Sequence, residues 1–524
     1  MEPGNRSDPP PEAGDGSTAR TAPPADRGDG PTEPTAPAEA PQPSEAPLPS
    51  GPDGYPVVGN APAFLRDPFG FYERLHEYGD VVRWGFPGFT YTTVFHPDHV
   101  QQVLVEDHDR FDRNLFENFS IDFAPEGLFF TEGEQWRRQR RLLQPAFTMD
   151  RIEGYADAMA ETAARTAAAW NDGQVVCLDD AFGDLTLSIL ARTLFDIDLD
   201  PTGEDAAITR AAAAINRRGD PTNLATFLPT WLPTPGNRRY RRALSDFRAR
   251  VDDIAARRRR GDGDERDADD LLSLLLAAGD DEDATLSDTE IRDNLVTVLF
   301  AGHETTALGL TYAVLLLASH EAQAARLRAE LDAELDGDRP AFEDLDSLTY
   351  TDQVVSEALR LHPPAHLLIR RATTDTSIGG YRVPAGTFVT LPQFYVHTDE
   401  RWWDDPEAFR PERFADGAAD GPVEPPAESP ADSPADRPSD NRSDSHADSH
   451  ADSQPDRPEY AYFPFGGGPR HCIGMRFARL EFRLVLAELA RTFEFELLSD
   501  PDPAISSGIT HRPKDSVRVR VHRR

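Results

Sequence analysis

Phe465-Gly-Gly-Gly-Pro-Arg-His-Cys-Ile-Gly474 sets a single cysteine, Cys472, in a loop made almost wholly of glycine and proline. An apolar, arginine-bearing segment with helical spacing follows, from Met475 to about Phe493. Glycine reaches backbone conformations that other residues avoid, so this loop can curl around the sulfur and approach a flat object closely. Amides at the start of the following helix can point at the sulfur and favour the thiolate, lowering a pKa that starts near ~8.5. A thiolate held in this way is a good axial ligand for haem iron.

A second group of reactive types is Ala301-Gly-His-Glu-Thr-Thr306, inside a long helical pattern that opens with the capping box Ser287-x-x-Glu290. Ala301 and Thr305 are four apart and share a face. Gly302 costs a helix ~1 kcal/mol relative to alanine, and a groove admitting dioxygen over a haem would give it a reason. An acid beside an alcohol, Glu304-Thr305, can relay protons to dioxygen. The same residues also fit an ordinary buried helix in which Thr305 bonds back to its own carbonyl. A third element, Glu357-x-x-Arg360 before Leu-His-Pro-Pro364, has a spacing shared by Glu134/Arg137, Glu407/Arg410 and Glu488/Arg491. Such pairs are usually solvated.

The loop matches every fixed position of F-x-x-G-x-R-x-C-x-G and resembles the haem-binding signature of the cytochrome P450 family. Ala301-Gly-His-Glu-Thr305 is similar to that family's oxygen-activating helix. Trp403-x-x-Pro406-x-x-Phe409-x-Pro411-Glu-Arg-Phe414 resembles the stretch that adds a further arginine to the Glu/Arg pair. The resemblance covers about 51–524 apart from an insertion, with the motifs in the family's order. It implies a mainly α fold with a minor β-sheet region, in a single prism-shaped domain. Haem b is the implied cofactor, with Cys472 as metal ligand and Ala301 and Phe465 beside the ring. Trp136, Arg140, Arg370 and Arg470 are implied partners of the haem propionates, and Glu304 and Thr305 the catalytic acid and alcohol. Glu357, Arg360 and Arg413 would form a buried structural ion cluster.

For the substrate pocket the resemblance nominates Phe116, Phe119 and Phe123, with Phe129 and Phe130 nearby, and Ala365, Leu367 and Leu368 after the Pro-Pro turn. All are apolar, which favours a fatty acid, isoprenoid or similar substrate. Phe111-Asp-Arg-Asn-Leu115 and the Ala-Gly-His-Glu-Thr-Thr run look like bacterial fatty-acid hydroxylases of the family. The implied reaction inserts one atom of O2 into a C–H bond. The chain stops shortly after the haem region, so electrons are expected from a separate ferredoxin or flavoprotein. Arg476, Arg479 and Arg483, on one side of the helix after Cys472, are the expected docking face. Alternatives are a peroxide-driven oxidase or decarboxylase, a branch that generally lacks the acid–alcohol pair, and a non-enzymatic haem sensor.

Composition narrows the setting. Basic residues number 54 against 92 acidic, a net charge of −38, and Lys514 is the only lysine. Nucleic acid is excluded as a partner on charge. Acidic residues and arginine with almost no lysine resemble proteins of a very salty cytoplasm, where a Debye length of roughly 3 Å screens self-repulsion. Two cysteines, Cys177 and Cys472, make no disulfide framework, and Cys177 reads as an inert buried residue. Residues 1–50 are rich in Pro, Ala, Asp, Glu and Gly and read as a disordered tail. About 416–458, with its repeated Ser-His-Ala-Asp-Ser, reads as a disordered insertion. The apolar pieces 295–301 and 307–318 fall short of the ~20 residues of a membrane span.

Periodicity predicts helices at 69–78, 99–106, 133–143, 150–171, 180–195, 205–217, 241–260, 267–278, 287–320, 321–336, 350–361 and 475–492. Strands are predicted over 81–94 with a turn at Pro87-Gly88, over 376–391, and over 516–521.

Overall fold

In the computed structural model the longest apolar stretch of the chain forms the helix Asp288–Ser319. The Ser287 hydroxyl accepts from the Glu290 N–H at 3.2 Å, and the Glu290 carboxylate accepts from the Ser287 N–H at 2.8 Å. Two of the donors that a helix start leaves unpaired are thus satisfied. Every residue from Thr306 to Leu317 is buried, as expected of a helix that is apolar all round. This long helix packs on Leu178–Leu194, Met475–Thr492, Thr349–Leu361 and Pro235–Arg260, and the main apolar core lies between them. The structure describes residues 46–113, 123–199, 203, 205–223, 226, 228–261, 270–280, 286–337, 339–415 and 457–524. They belong to one compact unit running from Pro43 to Arg524. The expected tail and insertion lie, but for a few residues, outside the described ones.

The predicted helices are present, with shifted ends. Pro235–Arg260 starts earlier than its periodicity suggests, because Thr234 caps it by accepting from Asn237 N–H at 3.1 Å with Pro235 in the first turn. The 99–106 segment divides into an α-helical turn, Pro97–Gln101, and a π-helical turn, Gln102–Glu106. Short helices at Ala61–Arg66 and Gln393–Val396 have too few residues to show a period.

Strands β1 (Val81–Phe86), β2 (Phe89–Val94), β3 (Phe111–Asp112), β5 (Leu367–Ala372) and β8 (Phe388–Pro392) form a sheet of order β1-β2-β8-β5-β3. β2 and β8 run parallel, and the other pairs antiparallel. A second sheet joins β4 (Val175–Cys177), β12 (Arg518–Arg523) and β9 (Phe493–Leu497). Two hairpins complete the β structure: β6 (Thr376–Ile378) with β7 (Tyr381–Val383), and β10 (Ile505–Ser507) with β11 (His511–Pro513). β5 and the β10–β11 hairpin did not stand out in the sequence, yet both reach the large cavity described below.

A Cβ at Gly302 would lie 2.2 Å from the Leu190 side chain of the neighbouring helix, so close helix packing is a second reason for a glycine there.

Among the described residues, several imidazoles are desolvated and neutral. Burial lowers His362 and His366 to about 4 and His397 to about 3, and pushes His511 well below its ordinary value. His397 Nε2 accepts the Phe463 N–H at 2.9 Å, a bond that a protonated ring cannot make. Rings that bind a proton less readily folded than unfolded contribute their full stabilisation above the unfolded value of 6.5. That stabilisation is lost as pH falls toward 4, at about 1.4 kcal/mol per pH unit for each ring. Thermal unfolding midpoints are expected to be flat above pH 7 and to drop steeply between pH 6.5 and 4, less steeply in His362→Phe. A midpoint independent of pH across that window would contradict this account.

Candidate active site

Gly468 shapes the cysteine loop. It sits at φ +64°, and a Cβ would lie 1.9 Å from the Leu104 carbonyl oxygen. The loop therefore seats on the π-helical turn only if this residue is glycine. The Cys472 N–H donates to the Phe465 carbonyl at 3.0 Å, and the His471 N–H to the Gly468 carbonyl at 3.0 Å. Arg140 braces the loop from Gly133–Leu143, donating to the His471 carbonyl at 2.8 Å and to its ring nitrogen at 2.9 Å. Gly468→Ala is expected to expel this loop from its seat and reduce bound haem by more than tenfold. The check is the haem-to-protein absorbance ratio after purification, and a native ratio would refute it.

The Cys472 thiol departs from expectation in one respect. Burial raises its pKa, outweighing the Gly474 N–H and the Arg140 charge, which both lower it. The residue is nevertheless accessible in a small cleft shared with Arg140, His471, Met475 and Arg476. A cation bound at this sulfur would favour its thiolate.

On the side of Gly133–Leu143 near Glu132, three guanidiniums gather. The Arg470 guanidinium lies 4.2 Å from the Trp136 ring, donates to the Thr131 carbonyl at 3.0 Å, and pairs with Glu132. The Arg113 N–H donates to Glu132 Oε1 at 2.9 Å, and its guanidinium stacks on Phe129 at 4.3 Å. Arg370 donates to the Ile369 carbonyl at 3.0 Å. Burial and then mutual repulsion lower Arg113 to about 9 and Arg370 to about 10, with Glu132 opposing. Burial lowers Arg470 as well, and its Nη1 is buried without a partner. Positive charge crowded around one carboxylate is a receptor for a dianion. Together with the cysteine loop, this donor set fits haem b. Arg113 was missed by the motif reading, for which Phe-Asp-Arg-Asn-Leu was only a family likeness.

Arg113, Ala301, Thr305, Ala365, Leu367, Leu368 and Arg370 all line one cavity of about 280 Å³. Phe64, Phe69, Phe86, Phe123, Phe129 and Phe300 make its wall largely aromatic. Phe130 stands outside this lining and packs edge-on against Phe123 at 4.9 Å. Phe116 and Phe119 lie outside the described residues.

The acid and the alcohol of the long helix have different partners. Thr305 Oγ1 donates to the Ala301 carbonyl at 2.7 Å. The Glu304 carboxylate is buried and accepts through Oε1 from Asn216 at 2.7 Å, Arg512 at 2.9 Å and Thr510 at 3.3 Å. Asn216, Thr510 and Arg512 were invisible to motif reading, being 88 or more residues from Glu304 along the chain.

Glu357, Arg360 and Arg413 meet in the interior. Arg360 Nε and Nη2 clasp the Glu357 carboxylate at 2.7 and 2.8 Å, and Arg413 Nε reaches it at 3.3 Å. The expected basic face is corrected by its neighbours: Arg479 donates twice to Asp352 at 3.0 Å, and Arg483 lies 3.6 Å from the same carboxylate. Arg476 is exposed, at the cleft of Cys472. Cys177 is half-buried, and burial raises its thiol pKa, consistent with an unreactive residue.

A family model described as cytochrome P450 matches residues 49–517. Pentalenene oxygenase of Streptomyces avermitilis is 34% identical over 463 residues, covering 86% of this chain and 92% of that protein. Cyclooctat-9-en-7-ol 5-monooxygenase of Streptomyces melanosporofaciens is 34% identical over 466 residues, 87% of this chain and 92% of that one. Cyclooctatin synthase of the same organism is 33% identical, covering 84% and 88%. Among the described residues, no helix is long and apolar enough to cross a membrane. A match across nearly the whole chain, on a mostly helical fold with a glycine-shaped cysteine loop, places this protein in the cytochrome P450 family, as a monooxygenase whose cofactor is haem b.

Proposed function

We propose that this enzyme hydroxylates a terpenoid at an unactivated C–H bond, with electrons from a separate ferredoxin or flavoprotein. The observation that carries this reading is the aromatic cavity reached by Ala301 and Thr305; relatives named for pentalenene and for a cyclooctatenol support it. Rigid aromatic walls suit a compact cyclic skeleton. Cys472 would hold haem b, with Arg113, Arg370 and Arg470 as partners for its acid groups, and the cofactor would supply reductive activation of dioxygen and the oxygen transfer. The chain's own residues hold and order the substrate: the phenylalanines exclude water from the reacting carbon, and Ala365, Leu367 and Leu368 limit its approach. Glu304 is the proton donor, drawing on the Arg512 side where the network meets solvent, and the Thr305 hydroxyl orients the proton's acceptor.

A fatty acid is the second reading, because the same apolar lining would also take an alkyl chain. Titrating the purified enzyme with cyclic sesquiterpenes, diterpenes and fatty acids, while following the iron spin-state shift, tests both. A shift with terpenoids but not fatty acids is expected, and the reverse would overturn the proposal. Turnover with hydrogen peroxide alone, matching that with a reductase, would instead favour a peroxide-driven enzyme. For electron entry, Arg476→Glu is expected to raise the Michaelis constant for an acidic ferredoxin several-fold.

The charge of −38 with one lysine supports work in a high-salt cytoplasm. Raising KCl from 0.1 to 2 M is expected to increase the unfolding midpoint by several degrees as self-repulsion is screened. A midpoint that falls would remove this reading.

A further inference from the structure

The wall of the large cavity carries a polar group that the chemistry above does not use. His366 stands just ahead of β5, with its ring centroid 5.5 Å from Phe69 and 6.1 Å from Phe394, and all three residues line the cavity. The residue is 6% exposed, and Nδ1 is buried without a hydrogen-bond partner. Burial brings the ring's pKa to about 4, so it stays neutral near pH 7.

Four threonines of the same wall are already partnered. Thr297 donates to the Asp293 carbonyl at 2.7 Å, Thr390 bonds Thr93 at 2.8 Å, Thr305 bonds the Ala301 carbonyl, and Thr510 bonds Asn216 at 3.1 Å. A neutral imidazole has one N–H and one lone pair. Nδ1 is sealed in the wall and out of a ligand's reach. Nε2 makes no hydrogen bond among the described residues, and on a residue that lines the cavity it is the nitrogen a ligand's polar atom can meet.

We infer that His366 determines specificity by hydrogen-bonding an oxygen already present on the substrate, a hydroxyl or keto group on an otherwise hydrocarbon terpenoid skeleton. The inference rests on the terpenoid reading above and narrows it. The enzyme then acts after another reaction has installed that oxygen, either an earlier hydroxylation or a cyclisation terminated by water. Its own product carries at least two oxygens. The apolar skeleton packs against Phe69 and Phe394 while the polar atom is held at one point, which turns one carbon toward the reacting centre.

Matched ligands test this on the haem-loaded enzyme: cedrane against cedrol, and labdane against its tertiary alcohol, with dissociation constants from spin-state titration and calorimetry. The alcohol of a pair is expected to bind about tenfold more tightly. His366→Phe is expected to bring that ratio to about one while leaving the hydrocarbon's constant unchanged, and His366→Gln, which keeps a donor, retains most of the preference. Equal binding of alcohol and hydrocarbon by the native enzyme overturns the role of His366 while the terpenoid reading stands, and this outcome needs no variant to fold. A preference that survives His366→Phe overturns it equally. Failure of both pairs to bind, with or without a fatty acid binding instead, overturns the terpenoid reading and this inference with it.

Discussion

Arg360→Met is expected to yield almost no haem-loaded protein. Arg360 has no exposed surface, clasps Glu357 with two nitrogens, and donates to the carbonyls of His397, Pro406 and Ala408 at 2.9, 2.7 and 3.4 Å. Its guanidinium also stacks on Trp403 at 4.8 Å. Glu357 in turn accepts the Arg410 N–H at 2.9 Å and the Arg413 side chain. The arginine thus ties the helix Thr349–Leu361 to the segment around 397–413, and its loss leaves a buried carboxylate short of its main partner. Breaking such a pair costs about 3–5 kcal/mol, a large part of the ~5–15 kcal/mol that holds a domain folded. Lysine cannot replace a bidentate fork, so Arg360→Lys is expected to fail nearly as badly. Urea unfolding and the haem-to-protein ratio are the measurements. A loss of stability under about 1 kcal/mol would show that the cluster is not structural.

Glu304→Gln carries the second large expected effect, a fall in turnover of about a hundredfold with the substrate dissociation constant unchanged. The acid is buried outside the cavity lining, so its loss removes a proton source rather than a substrate contact. Glutamine preserves the bonds to Asn216 and Thr510, which keeps the fold out of the comparison. Thr305→Ala is expected to keep haem and substrate binding while oxygen consumption turns to peroxide instead of product. Its hydroxyl bonds the Ala301 carbonyl, so the helix survives the change. Unaltered turnover in the first variant, or unaltered coupling in the second, would remove these residues from the proton path. Arg512→Gln separates positioning from chemistry. It leaves the carboxylate in place without its cation, so turnover is expected to fall less than in Glu304→Gln while protein yield is kept.

Local chemistry made the cysteine loop legible before any fold was known. Glycines at fixed offsets, a cysteine and a following helix are adjacent in sequence, and the geometry that Gly468 must adopt follows from having no side chain. The long helix was legible for the same kind of reason, since a capping box and an unbroken apolar run are local properties. Spacing alone did not distinguish Glu357–Arg360 from its copies. Glu134–Arg137 has the same offset but is exposed on both sides, whereas both members of Glu357–Arg360 have no exposed surface. Burial made that difference, and burial comes from segments far away in the chain.

What the sequence by itself determined is the reaction class: a cysteine in a glycine loop, an acid–alcohol pair on a long apolar helix, and the order of both along the chain. Tertiary structure alone decided who surrounds them. It set Arg113 beside Arg370 and Arg470, turned Glu304 toward Asn216 and Arg512, paired two of the three expected docking arginines, Arg479 and Arg483, with Asp352, and left His366 in an apolar wall without a hydrogen-bond partner. Those outcomes depend on desolvation and on contacts between residues tens to hundreds of positions apart. No local pattern encodes either, because both exist only once the chain has closed on itself.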